Sequence, residues 1–276
     1  MQHQEFQYHG AGGLALFGQS WKPDTPARAL VVMTHGHGEH SGRYGHVAAS
    51  LVSRGLAVAT YDLRGHGRSE GPRGYVRDWD NYRQDLKMFL AHLDAEFRDL
   101  PLLLYGHSFG GTMVLDYVLR DPTNLNGVIA SAPSLGRPNI PAILFTLSQI
   151  LSKIYPRFSM ATQLDATTLS RDPQVVSAYQ NDPMVHSVGT ARLGTELTRI
   201  TDWIQANAAK LQVPLLIVHG AKDGLVNPED SRRFFENVEY HDKTYMDLPD
   251  GFHEPHNDID KEKVIKEIGD WMLDHI

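Results

Sequence analysis

Five residues, 106–110 (GHSFG), constrain the fold of this chain more than any other feature. They follow the apolar run 101–105, which is typical of a strand buried on both faces, and they precede 112–120, where apolar residues repeat at helical spacing. Such a corner between strand and helix needs glycines because the backbone passes close to its neighbours while it lifts the serine into a strained, exposed position. The pattern therefore predicts a nucleophile at Ser108, and the alternative is a serine that only caps the helix.

A serine hydroxyl reacts only when a base removes its proton and an acid holds that base in the correct tautomer. Residues 213–219 (VPLLIVH) predict another buried strand, and Asp223 stands in the loop that follows it. Residues 243–248 predict a further strand, and the loop after it carries His253. We therefore predict that Asp223 and His253 are the acid and the base that serve Ser108. The nearby competitors are Asp250 and His256.

The same chemistry requires an oxyanion hole, which is a pair of backbone N–H groups aimed at the charge of the tetrahedral intermediate. Phe109 directly follows the nucleophile and supplies the first N–H group. The second is expected in the loop after an early strand, and residues 29–34 (ALVVMT) predict that strand. We assign the second N–H group to His37, whose side chain need not take part.

Residues 34–43 (THGHGEHSGR) also suggest a different chemistry. Their HxHxEH pattern is close to the HxHxDH motif of the metallo-β-lactamase fold, in which imidazoles bind zinc and activate water. However, the acidic position is Glu39 rather than aspartate, and no later set of His and Asp is placed for a second metal half-site. A metal-dependent hydrolase would also leave Asp223 and His253 unexplained, so we predict neither a metal nor an organic cofactor.

The bulk composition indicates one globular domain. Of the 276 residues, 41% are hydrophobic and 21% are charged, so the chain can bury a large core. A net charge of −7 without a basic stripe argues against a nucleic-acid partner and against strong attraction to anionic membranes. The lack of cysteine excludes disulfides, thiol catalysis and cysteine metal sites. Because the start has no leader pattern and no run of about 18 apolar residues occurs, we expect a soluble, cytoplasmic protein.

Strands and helices alternate along the chain, which predicts an α/β fold with a mostly parallel central sheet flanked by helices. An antiparallel hairpin, 6–8 with 14–21, is predicted to open it. The stretch between the strands at 127–132 and 213–219 is too long for an ordinary crossover, so we predict a helical cap inserted after the sixth strand. The predicted divisions are core 1–135, cap 136–205 and core 206–276.

Part of the predicted cap is an apolar stripe. After Pro138 and Pro141, apolar side chains recur at helical spacing: Ile140, Ile143, Leu144, Leu147, Ile150, Leu151 and Ile154. Such a stripe packs on the body of the protein, lines an acyl tunnel or touches a lipid aggregate. A fatty acyl substrate is favoured, because each buried methylene contributes about 0.8 kcal/mol.

Three segments, 35–71, 106–111 and 164–185, resemble the monoacylglycerol lipase and lysophospholipase branch of the α/β-hydrolases. The resemblance extends from about Trp21 to the C-terminus and implies an α/β-hydrolase fold. It also implies roles that are consistent with the assignments above: a triad of Ser108, Asp223 and His253, with oxyanion donors at His37 and Phe109. The animal lipases carry Ala and Met at the two oxyanion positions, so this chain departs from them in bulk at both; the backbone role is unaffected, but the resemblance does not fix the shape of the acyl pocket.

Two further residues, Glu39 and Arg43, match family positions near the polar end of the pocket, where the glycerol headgroup is held. The alternative for both is an ion pair that ties the loop down.

The resemblance implies hydrolysis of a single-chain lipid ester, with monoacylglycerol cleaved to fatty acid and glycerol through an acyl-enzyme. From the apolar stripe we expect transient contact of the cap with lipid aggregates or a membrane surface. Lysophospholipase and general carboxylesterase activity are alternatives, as is cleavage of thioesters or peptides or a perhydrolase activity. A binding protein or receptor that keeps the triad but turns over slowly is a further alternative.

Overall fold

The computed structural model describes residues 1–137, 142–161 and 164–276. The strands in this part of the chain are β1 (Gln2–His9), β2 (Ala15–Lys22), β3 (Leu30–Thr34), β4 (Ala57–Tyr61), β5 (Leu102–His107), β6 (Gly127–Ser131), β7 (Ser159–Ala161), β8 (Val188–Thr190), β9 (Leu215–Gly220) and β10 (Lys243–Leu248). The α-helices are α1 (Gly45–Ser53), α2 (Asp80–Phe97), α3 (Phe109–Arg120), α4 (Ala142–Ile154), α5 (Pro173–Asn181), α6 (Ala191–Ala206), α7 (Pro228–Asn237) and α8 (Lys261–Asp274).

One large sheet organises the molecule, with the strand order β1-β2-β4-β3-β5-β6-β9-β10. β2 pairs antiparallel with β1 and with β4, whereas the pairs from β4 to β10 are parallel. The inner strands β3, β4, β6 and β9 are buried along their whole length, as their continuous apolar sequences predict. The predicted α/β fold with a mostly parallel sheet is therefore confirmed.

Helices cover both faces of this sheet. On one face, Phe89 of α2 and Val114 of α3 belong to the same buried cluster as Leu104 of β5. On the other face, Leu51 of α1 shares a buried cluster with the neighbouring strand residue Leu103 and with residues of α8. Successive side chains of a strand point to opposite faces, so β5 contributes to both cores and is fixed from both sides.

Helix α3 begins at Phe109, directly after Ser108, whereas the sequence pattern suggested a start near Thr112. The intervening glycines, Gly110 and Gly111, lie inside the helix, where α3 packs closely against its neighbours. A Cβ atom on Gly110 would lie 2.2 Å from the carbonyl oxygen of Thr34, and one on Gly111 would lie 2.8 Å from Cβ of Pro133. Glycine at these positions therefore serves the close packing of α3 and is not required by a turn.

The segment between β6 and β9 carries α4, α5, α6 and a two-stranded antiparallel ribbon of β7 and β8. Its backbone is hydrogen-bonded to loops at the carboxyl end of the sheet: His186 N donates to Gly38 O at 2.8 Å and Glu254 N donates to Leu169 O at 2.8 Å. These bonds hold the segment over the edge of the sheet where the loops after the parallel strands meet.

Only part of the predicted apolar stripe can be placed. Pro138, Ile140 and Pro141, together with the side chains of Ile143 and Leu144, lie outside what the structure describes. Leu147, Ile150 and Ile154 are exposed to 49%, 48% and 77%. Among the described residues, no helix combines the length and the apolar character that a membrane span requires.

Candidate active site

The turn at Ser108 joins β5 to α3 in a strained backbone conformation. Ser108 has φ 52° and ψ −116°, a region that residues other than glycine rarely adopt. The turn is held from both sides, because Ser108 N donates to Ser131 O at 2.8 Å and Thr112 N donates to Ser108 O at 3.1 Å. The corner is so tight that a Cβ atom on Gly106 would lie 2.3 Å from the carbonyl oxygen of Gly110. This is the geometry of the predicted nucleophile elbow.

Three side chains that are distant in the sequence meet at this turn. His253 Nε2 lies 3.0 Å from Ser108 Oγ, and His253 Nδ1 lies 2.7 Å from Asp223 Oδ2. They meet because Ser108, Asp223 and His253 follow β5, β9 and β10, whose carboxyl ends share one edge of the sheet. The structure thus brings together the serine, histidine and aspartate that the sequence singled out.

The environments of Asp223 and His253 keep the aspartate ionised beside a basic histidine. Burial would raise the pKa of Asp223, but the charge of His253 and hydrogen bonds from His219 and His253 hold that pKa well below its ordinary range. Burial would lower the pKa of His253, yet the charge and hydrogen bond of Asp223 outweigh it and leave that pKa raised. A histidine with this environment can accept a proton from a neighbouring hydroxyl.

Both predicted oxyanion donors lie next to the turn. The rings of His37 and Phe109 are 5.8 Å apart, and a Cβ atom on Gly36 would lie 3.4 Å from Cβ of Ser108. In the described part of the chain, the backbone N–H groups of His37 and Phe109 donate to no other group. The His37 side chain is engaged elsewhere, since its Nε2 lies 3.0 Å from Val188 O and burial lowers its pKa to about 4. The role of the two N–H groups stays a prediction.

Glu39 and Arg43 form the ion pair that was the alternative to a substrate contact. Glu39 Oε2 lies 2.5 Å from Arg43 Nη1, while its Oε1 accepts from Gly36 N at 2.7 Å and from the Tyr44 hydroxyl at 2.8 Å. Arg43 also binds both carboxylate oxygens of Glu254. Burial opposes the ionisation of Glu39, but the charge of Arg43 holds its pKa well below the usual range. Contact of Glu39 and Arg43 with a substrate remains a prediction.

A cavity of about 330 Å³ opens beside Ser108 and His253. This volume lies at the lower end of the range for small-molecule sites. Of the lining residues that the structure describes, none is Lys or Arg, and the charged ones besides the histidines are Glu39 and Glu254. The apolar part of the wall is formed by Leu164, Leu169, Leu225 and Val226. The site thus combines this apolar wall with a polar end at which Arg43 pairs with both carboxylates.

The HxHxEH segment does not converge on one point. His35 Nδ1 lies 2.7 Å from Gly36 O, while its Nε2 accepts from Leu63 N at 3.0 Å. His40 Nε2 contacts Asp182 at 2.9 Å. Among the residues that the structure describes, no group of three or more His, Asp or Glu is arranged to hold a metal ion. The side chains of this segment serve as hydrogen-bonding groups of the loop.

The two competitors for the triad lie elsewhere. Asp250 is exposed and pairs with Lys222 at 2.7 Å. His256 is buried, where its Nδ1 lies 3.4 Å from the Tyr105 hydroxyl.

Sequence reasoning missed two residues of the site. His219 Nε2 lies 3.0 Å from Asp223 Oδ2, and Ser134 Oγ lies 3.3 Å from Ser108 Oγ. A signal existed for both, because His219 belongs to β9 four residues before Asp223, and Ser134 follows the carboxyl end of β6. Polar residues at that edge of a parallel sheet are candidates for a site.

Comparison with known proteins agrees with this geometry. Residues 25–260 match the family described as serine aminopeptidase, S33. The chain is 35% identical to the monoacylglycerol lipase of Mycolicibacterium smegmatis, over 99% of this chain and 98% of that protein. It is 30% identical to the Homo sapiens monoglyceride lipase, over 95% of this chain and 88% of that protein. The crystal structure of Paleococcus ferrophilus monoacylglycerol lipase superposes with a TM-score of 0.85 at 32% identity and covers all of both chains. These likenesses confirm the α/β-hydrolase fold.

Proposed function

This chain belongs to the serine aminopeptidase S33 family of serine hydrolases, and we propose that it cleaves monoacylglycerols to fatty acid and glycerol. The observation that carries the proposal is the hydrogen-bonded series from Ser108 through His253 to Asp223 at the wall of a largely apolar cavity. The names of the relatives, monoacylglycerol lipase and monoglyceride lipase, support the choice of substrate.

The proposed mechanism has two steps that use the same groups. In the first, His253 takes the proton of Ser108 as its oxygen attacks the acyl carbonyl, and the N–H groups of His37 and Phe109 bind the oxyanion. His253 then returns the proton to the departing glycerol oxygen, which leaves an ester of the fatty acid on Ser108. In the second step, His253 takes a proton from water as the water oxygen attacks the ester carbonyl, and it then returns that proton to Ser108 Oγ as the fatty acid leaves. Asp223 holds His253 in the tautomer that both steps require.

The charge of the cavity favours an uncharged leaving group. A lysophospholipid places a phosphate near the reacting ester, and no lining residue among those described is Lys or Arg to receive it. An aminopeptidase substrate instead needs a free carboxylate for its ammonium group. Glu39 and Glu254 line the cavity, but both are bound to Arg43. Glycerol hydroxyls, in contrast, can hydrogen-bond to such paired carboxylates without carrying a charge into the site.

We further propose that residues 136–205 form a cap over a core made of 1–135 and 206–276. The backbone bonds of His186 to Gly38 and of Leu169 to Glu254 support this division, since they join the segment to loops of the proposed core. The exposed Leu147, Ile150 and Ile154 of α4 would then meet a lipid aggregate while the substrate enters.

A panel of substrates tests this proposal. We expect the highest kcat/KM with 1-acyl or 2-acyl glycerols, lower values with short nitrophenyl esters, and little turnover of triglyceride, lysophosphatidylcholine or an aminoacyl nitroanilide. A Ser108→Ala preparation measures contaminating host hydrolases. Preference for lysophosphatidylcholine or for the aminoacyl substrate would overturn the assignment of substrate.

A further inference from the structure

Asp223 accepts more hydrogen bonds than the orientation of His253 requires. Its Oδ1 accepts from Leu225 N at 2.8 Å and from Val226 N at 2.9 Å. Its Oδ2 lies 2.7 Å from Nδ1 of His253 and 3.0 Å from Nε2 of His219. The four contacts use the four lone pairs of the carboxylate, so two imidazoles share one oxygen atom.

The hydrogen-bond partners of His219 determine which of its nitrogens carries a hydrogen. An ionised carboxylate only accepts, so Nε2 of His219 donates to Asp223. The other nitrogen, Nδ1, lies 2.9 Å from Oγ of Ser231 in α7, which then donates its hydroxyl hydrogen. His219 and Ser231 are both fully buried, and His219 is not among the residues that line the cavity. An imidazole in this position cannot touch a substrate in the cavity and acts only through Asp223.

We propose that His219 is a positioning residue for Asp223, an inference that rests on the function proposed above. Its Nε2–H fixes Oδ2 in the direction of His253 and takes up part of the charge of that oxygen. Both effects bear on His253. The first sets the direction of its hydrogen bond to Asp223. The second weakens that hydrogen bond, because a carboxylate oxygen that accepts from two donors binds each donor less strongly than an oxygen that accepts from one. His219 therefore limits how strongly Asp223 holds the proton on His253 and favours the unprotonated, reactive form of His253.

The other charged or titratable groups around His253 do not depend on His219. Glu254 and Glu39 act on His253 from the loops after β10 and β3, and both remain bound to Arg43. The ring of His107 in β5 lies 4.9 Å away, and burial lowers the pKa of His107 to about 3. A change at position 219 consequently reaches His253 through Asp223.

The test is the pH dependence of inactivation by a fluorophosphonate, which reads the reactivity of Ser108 without any lipid substrate. In His219→Leu, we expect the acid limb of the inactivation rate to move to higher pH by about half to one unit, the equivalent of one lost hydrogen bond. In His219→Gln, the amide N–H replaces Nε2–H and the amide oxygen accepts from Ser231, so the limb returns to the wild-type position. Ser231→Ala, which removes the partner of Nδ1, gives a smaller shift in the same direction.

A purely structural role would give a different result. In that case the folded His219→Leu variant loses reactivity at every pH, with the limb unmoved or moved to lower pH, and the inference is overturned. Thermal unfolding of each variant shows whether it is folded. If His219→Leu is not folded, Ser231→Ala decides the question, and an unmoved acid limb in Ser231→Ala overturns the inference. Failure of the proposed function is distinguishable: a wild-type protein that is labelled at Ser108 but does not turn over monoacylglycerol contradicts the substrate assignment, whereas the position of the limb in the variants tests the role of His219.

Discussion

Arg43 and Glu254 form a bidentate ion pair, with Nη1 2.6 Å from Oε1 and Nη2 2.7 Å from Oε2. The pair links the loop after β3 to the loop after β10, where Glu254 directly follows His253 in the chain. Nη1 of the same guanidinium also binds Glu39. One cation thus pairs with two buried carboxylates and ties the loop after β3 to the residue that follows the proposed catalytic histidine.

Substitution of Arg43 should therefore be strongly destabilising. Arg43→Met leaves Glu39 and Glu254 buried without a cation, and we expect the free energy of unfolding to fall by about 3–5 kcal/mol. Urea denaturation measures this change. The matched control is Arg98→Met, because Arg98 pairs with Asp94 at the exposed end of α2 and should have little effect. Equal effects of the two substitutions would show that burial of the pair does not matter.

The close packing at the elbow is tested by substitution of Gly110, with a second helical glycine, Gly194, as the control. In Gly110→Ala, the added Cβ atom would lie 2.2 Å from the carbonyl oxygen of Thr34, so we expect a loss of about 1–3 kcal/mol in unfolding free energy and a large loss of esterase activity. Gly194→Ala in α6 is the control, because nothing lies within 4 Å of its new Cβ atom. That variant should gain about 0.5–1 kcal/mol and keep full activity. Normal activity in Gly110→Ala would contradict the predicted clash.

The pH dependence follows from the environment of His253. Burial lowers its pKa, but Asp223 raises that pKa above the ordinary histidine value of about 6.5. Only unprotonated His253 can accept the serine proton, so kcat/KM should be full above this raised pKa and fall as the pH drops through it. Asp223→Asn should move the acid limb to lower pH and reduce kcat by roughly 10⁴-fold. Asp250→Asn, which changes an exposed aspartate, should leave the profile unchanged.

The exposed face of α4 should matter only for aggregated substrates. Replacing Leu147, Ile150 and Ile154 together by serine removes apolar area that would enter a lipid surface, so kcat/KM on monoacylglycerol in vesicles should fall by more than about tenfold. Hydrolysis of a soluble short-chain nitrophenyl ester serves as the internal reference and should not change. Met88→Ser, which replaces an exposed apolar side chain on α2, is the control. Parallel losses on both substrates would argue against lipid contact.

Local patterns sufficed to predict the series of Ser108, His253 and Asp223. Each residue follows a run of apolar residues that is long enough for a buried strand, and the ends of parallel strands share one edge of a sheet. The bidentate partner of Arg43 could not be predicted in the same way. Glu254 is 211 residues away from Arg43, and only the folded sheet brings their loops together.

The edges of the fold were also less predictable than its centre. The first strand was expected at residues 6–8 but covers Gln2–His9. Residues 2–5 are polar and exposed, so no apolar alternation marks them, and they are held as a strand by backbone pairing with β2. The side-chain direction of His219 likewise depends on where β9 ends, which the sequence pattern gives only to within a few residues.

Whether Ser108 is the nucleophile in monoacylglycerol hydrolysis is decided by the steady-state turnover of a monoacylglycerol by wild type and by Ser108→Ala. We predict that Ser108→Ala reduces kcat by roughly 10⁶-fold and abolishes fluorophosphonate labelling, while EDTA leaves the wild-type rate unchanged. Turnover that persists in Ser108→Ala, or wild-type activity that disappears on chelation, would show that Ser108 is not the nucleophile or that the protein depends on a metal.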